Sequence, residues 1–72
     1  MNQGISELIV IELMKELPIS LKDNIFEFEE LVNSGNYRAA YSVLDELKQS
    51  KEWSPSSKLI GYYERFWWEL AN

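Results

Sequence analysis

Apolar residues recur along this chain with a helical period, in four blocks separated by turn-forming residues. The first block predicts a helix over Ser6–Leu17, with Ile9, Val10, Leu13, Met14 and Leu17 on a broad buried face, Ser6 as N-cap and Glu7 in the first turn. Pro18 ends it, because proline disfavours a helical residue before it. Leu8 and Ile11 fall off that face and leave the segment apolar most of the way round, which predicts contacts on more than one side. The second block predicts a helix over Ser20–Asn33, with Leu21, Ile25, Phe28 and Val32 as its buried stripe. Ser34-Gly35-Asn36 is the stop, Gly35 suiting the left-handed position after a helix.

The third block predicts a helix over Tyr37–Gln49 capped by Asn36. Tyr37, Ala40, Tyr41, Leu44 and Leu47 share a side, and the small Ala39-Ala40 pair lets a neighbouring helix come close. Ser50–Trp53 reads as a longer connection. Ser54-Pro55 then reads as an N-cap followed by proline at the first helical position, opening a helix over Pro55–Ala71. Its face carries Leu59, Tyr62, Tyr63, Phe66 and Leu70, widened by Ile60 and Trp67, with Trp68 opposite. There is no strand signal. Short loops favour antiparallel neighbours, so the expected fold is all-α: a compact bundle of four short antiparallel helices in a single domain, residues 1–72.

Seventy-two residues bury a modest core, about 60% of the unfolded surface for a chain of this size. The chain has neither Cys nor His, so neither disulfides nor a zinc site can staple it, and packing must suffice. The missing His also removes the usual general base, and Gly4, Gly35 and Gly61 are isolated and form no phosphate-binding loop. Carboxylates lack the spacing of a calcium loop. The carboxylates Glu27, Glu29 and Glu30 are the remaining catalytic alternative, on a short helix with no evident cleft. The expectation is a non-enzyme with no catalytic, cofactor or metal residues. An apolar N-terminal stretch interrupted by Glu7 and Glu12 does not read as a signal peptide, and no run approaches a membrane span. The expected location is cytoplasmic, with no membrane partner.

Charge changes the picture most. The net charge of −5 lies wholly in residues 1–34, where seven acids (Glu7, Glu12, Glu16, Asp23, Glu27, Glu29, Glu30) face only Lys15 and Lys22. The second half carries five charges of each sign. Such a surface argues against nucleic acid and for a cationic protein partner.

Three constellations are candidates for binding. On the second helix Asp23, Glu27 and Glu30 are spaced i, i+4, i+7 and line one face, with Phe26 at its edge. An aromatic anchor beside steering charges suits an interface with a basic partner. The plainer expectation is a solvated acidic face with Phe26 packed on the first or last helix. Like charges at i, i+4 cost a few tenths of a kcal/mol, with only Lys22 nearby to relieve them. In the last helix, Tyr62-Tyr63-Glu64-Arg65-Phe66-Trp67-Trp68 holds five aromatics in seven residues, which cannot all point one way. The plainer reading makes this the central core helix; the alternative exposes Trp68 as a partner surface or homodimer seam. Trp53 reads as an apolar staple at the entry to that helix.

The order of these segments carries a resemblance. A helix ending in Asn33-Ser34-Gly35-Asn36-Tyr37, then Arg38-Ala39-Ala40-Tyr41-Ser42-Val43-Leu44-Asp45-Glu46-Leu47, then Trp53-Ser54-Pro55 and a last helix, resembles the MafI-like immunity proteins. These are small acidic helical proteins that protect bacteria from toxins passed between neighbouring cells, including those of contact-dependent growth inhibition. The resemblance spans roughly residues 8–70, is sharpest over Gly35–Leu47, and places Asn36 where an acidic residue is common in the family. It implies a cognate toxin domain, often a nuclease, with an EndoU-type RNase as the associated class. It identifies no contact residue. Size and acidity also resemble colicin-type immunity proteins, but Tyr62-Tyr63 is followed by Glu64 and not by the proline of that family.

The expected function is therefore an immunity protein that neutralises a basic toxin. Asp23, Phe26, Glu27 and Glu30 are the expected contacts, and Glu16 and Glu29 the flanking charge. The alternative is a non-catalytic homo-oligomeric adapter or regulatory protein that uses the aromatics of the last helix.

Overall fold

Four helices form where the four apolar blocks lie. The computed structural model describes residues 4–72. Helix α1 (Ile5–Glu16) presents Ile5, Ile9 and Leu13 to the core at intervals of one turn, and Leu17 continues the row past its end. Leu17 is extended (φ −73°, ψ 138°), as the residue before Pro18 must be. Gly4 occupies the N-cap position without a side-chain bond, so Ser6 sits inside the first turn and is not the cap. Met14, expected in the core, is 58% exposed.

The second block divides. Ile19–Leu21 makes a short 3₁₀ turn, with Leu21 N donating to Pro18 O at 2.9 Å, and helix α2 (Asp23–Asn33) begins only after Lys22. Ser20 lies within that 3₁₀ turn, and its hydroxyl donates to Glu52 Oε1 at 2.8 Å. Ile25 and Phe28 are buried, and Leu21 and Val32 partly so. Gly35 ends α2 with φ +81°. Its N–H donates to Val32 O at 3.0 Å and that of Asn36 to Leu31 O at 2.8 Å, the paired bonds of a Schellman motif.

Helix α3 (Tyr37–Lys48) buries Ala40, Val43, Leu44 and Leu47, while Tyr37 and Tyr41 lie half-buried on its flank. Asn36 precedes it without a side-chain capping bond, contrary to expectation. Helix α4 (Ser57–Phe66) starts two residues later than expected. Ser56, not Ser54, is the N-cap, its Oγ accepting from Leu59 N at 3.2 Å. The choice is made by tertiary structure, since Glu16 at the end of α1 holds Ser56 in place. Trp53 packs against the core from the loop, three residues ahead of that cap, so it is not the adjacent staple expected.

Beyond Phe66 the chain widens into a π-helical turn, Trp67–Ala71. A wider turn shifts the register by about one position. Ala71 is therefore buried, and Leu70, which a regular helix would turn inward, is exposed. Arg38 Nε donates to Ala71 O at 3.0 Å and ties this turn to the start of α3.

The helices run up and down in sequence. Glu12 pairs with Lys58 at 3.6 Å while Glu16 meets Ser56, so α1 and α4 lie antiparallel. One apolar cluster runs through all four helices, with Phe28 and Phe66 ring centroids 5.4 Å apart near its middle. The architecture is the expected small all-α bundle, with no strand among the described residues.

Candidate functional site

The outward side of α2 carries the strongest candidate. Asp23, Glu27 and Glu30 are all exposed there. Their helical spacing puts them opposite Ile25 and Phe28, which anchor the helix in the core. The ion pairs among the described residues are Glu12–Lys58 and Arg65–Glu69, and neither involves α2. The acids on this helix thus have no ion-pair partner among the described residues. Phe26, beside them, is 68% exposed. That corrects the plainer expectation that its ring packs on α1 or α4. The structure therefore brings Asp23, Phe26, Glu27 and Glu30 together on one open face.

Glu29, three residues on from Phe26, lies between that face and the buried stripe. It borders a groove of about 450 Å³ between the first half of α1 and the second half of α2. Phe28 and Val32 contribute to the α2 wall, and Val10, Ile11 and Glu7 to the α1 wall. Sequence reasoning did not find this groove, because it belongs to neither helix alone. Its trace was present: Glu7, Ile11 and Met14 fall at i, i+4, i+7, and Ile11 stood off the predicted core face.

Glu16 is not part of either surface. Its Oε1 accepts from Ser56 N at 3.1 Å and its Oε2 from Ser56 Oγ at 2.6 Å. Partial burial alone would raise its pKa. The two bonds from Ser56, together with neighbouring Glu12 and Lys58, outweigh that and hold it below the usual 4.5. Glu16 is thus bound within the fold.

The aromatic segment divides. Tyr63 and Phe66 are buried, Tyr62 and Trp67 are half-buried, and Trp68 is 69% exposed. Trp67 packs on Tyr41 with ring centroids 5.1 Å apart. The reading of α4 as a central helix surrounded on all sides is corrected by Trp68, which faces solvent. Tyr63 Oη is buried with no hydrogen-bond partner, and burial, reinforced by Glu16, Tyr41 and Asp45, raises its pKa well above 10.

No cluster of carboxylates among the described residues has the geometry to hold a metal ion, and no helix among them is long and apolar enough to cross a membrane. Compared with known proteins, the chain finds no match among family models, curated proteins or solved structures.

Proposed function

We propose that this protein is an immunity protein: a cytoplasmic, non-catalytic inhibitor that binds a basic toxin domain, a nuclease by the family resemblance, through the outward face of α2. The observation that carries the reading is the row Asp23, Glu27 and Glu30, which has no ion pair among the described residues and sits beside an exposed Phe26. A like-charged row opposes its own helix, and that cost is recovered when cations from a partner approach it. A nuclease cleft is built to bind phosphates, so an acidic protein surface matches its potential and accelerates encounter. Phe26 supplies the desolvated anchor that charge alone lacks.

The test is a pull-down of the tagged protein from the cells that make it, washed at rising salt, followed by a nuclease assay on what is recovered. The expected result is a stoichiometric basic fragment whose nuclease activity falls when the protein is added back, and whose retention weakens with salt. A recovered partner that is acidic, or whose binding ignores salt, overturns the reading.

The exposed Trp68 favours a second reading, a homo-oligomeric adapter assembled through α4 and the π-helical turn. It requires a mass in solution that rises with concentration, and Trp68→Ala giving a folded monomer. A monomer at every concentration removes it.

A further inference from the structure

The groove between α1 and α2 lies apart from the acidic row on the outer side of α2, and its chemistry is different. Val10, Ile11, Phe28 and Val32 give it an apolar strip, Ser6 and Asn33 add polar lining, and Glu7 and Glu29 stand on opposite helices. On α1 the apolar surface continues outward through Ile11 and Met14, 44% and 58% exposed. The antiparallel pairing sets Met14, Ile19 and Phe26 toward the turn end of this helix pair. The cations of this half, Lys15 and Lys22, also sit at that end, which leaves the groove itself acidic.

We infer that this groove is a docking site for a cationic amphipathic helix of a partner protein. The backbone groups of α1 and α2 are engaged in their own helices, so the walls offer an occupant no ladder of hydrogen bonds. An extended peptide laid over an apolar floor would lose water from its amides and gain nothing in return. A helix satisfies its own backbone and presents apolar anchors at i, i+3, i+4 and i+7. The lining runs over residues 4–11 of one wall and 28–33 of the other, so the seated part of the occupant is about two turns, roughly 10 Å. Glu7 and Glu29 require Lys or Arg on both sides of its apolar stripe and repel anionic surfaces. A second copy of this chain, at net charge −5, is disfavoured by the carboxylates that line the groove. The inference stands whether or not the partner is a toxin, and it uses a different surface from the one proposed above.

The probe is a synthetic, amidated peptide of about 14 residues with Leu at i, i+3, i+4 and i+7 and Lys and Gln elsewhere. A second peptide of the same composition has the Leu positions scrambled. Binding is read by fluorescence anisotropy and by amide chemical-shift mapping on the full chain. The expected result is tighter binding of the periodic peptide, with shifts centred on Val10, Ile11, Glu29 and Val32. Ile11→Ser and Glu29→Gln, both at exposed positions, should each weaken it roughly tenfold, while Trp68→Ala leaves it unchanged. Equal binding of the scrambled peptide, shifts centred on Asp23, Glu27 and Glu30, insensitivity to Ile11→Ser, or no binding at all would each overturn the inference.

Discussion

Glu16 shows how a residue's type and its role part company. Its charge placed it with the candidate partner contacts, and its carboxylate instead holds Ser56, the N-cap of α4. Nothing local in the sequence distinguishes it from Glu27, because the distinction is made by Ser56, forty positions away. The consequence is a measurable pH dependence. Because the folded pKa of Glu16 is lowered from 4.5, its contribution is fully present above that value and is lost as pH falls through the folded one. Glu16→Gln should cost about 1 kcal/mol at neutral pH, the usual net scale of a hydrogen bond. Thermal melts at pH 7 and near pH 3 check this: the gap between variant and wild type should be wide at the first and narrow at the second. Phe26 makes the same point in reverse. The wheel put it at the edge of the acidic face, where its ring could still fold back on a neighbouring helix, and the structure leaves it facing solvent.

At the scale of elements, all four helices were legible as blocks of period 3.6, and the stop at Gly35 was legible as chemistry. Only glycine takes φ +81° without strain, and a Cβ added there would meet no neighbouring atom. Gly35→Ala should therefore cost roughly 1 kcal/mol through backbone strain alone, with no packing clash. A fall in denaturation midpoint at unchanged m-value would be the signature. Boundaries set by distant partners were not legible. Ser54-Pro55 has the better local start signal, yet Ser56 prevails because Glu16 reaches it. The π-helical turn was likewise hidden, since a local period carries no notice of the Arg38 bond to Ala71 or of the Trp67 ring on Tyr41. Its effect on Leu70 and Ala71 shows how one widened turn moves every later side chain.

Over the whole molecule, the asymmetry of charge becomes an asymmetry of surface. Part of the acidic excess is taken up within the fold, Glu12 by Lys58 and Glu16 by Ser56. The remainder is concentrated on α2 and the groove beside it. The double variant Glu27→Lys with Glu30→Lys removes no ion pair and no buried contact, so its melting temperature should stay close to that of the wild type. Its association rate with a basic partner should fall by about tenfold or more at low salt, with the deficit shrinking as salt rises. Stopped-flow mixing at two ionic strengths separates this from a loss of anchoring at Phe26, which would act on dissociation. The acidic row was legible from spacing alone. The groove was not, because a surface shared by two helices exists only after they pack.

The Glu16–Ser56 contact also orders events in time. The α2–α3 pair closes through a turn of three residues and needs no distant partner, whereas Ser56 at the start of α4 is held by Glu16 only when α1 has docked across the length of the chain. The central hairpin is thus placed to organise first, and the outer pair α1 and α4 to close late. Loss of the Glu16–Ser56 contact should then fall on the rate at which the molecule opens, leaving the rate at which it assembles almost untouched.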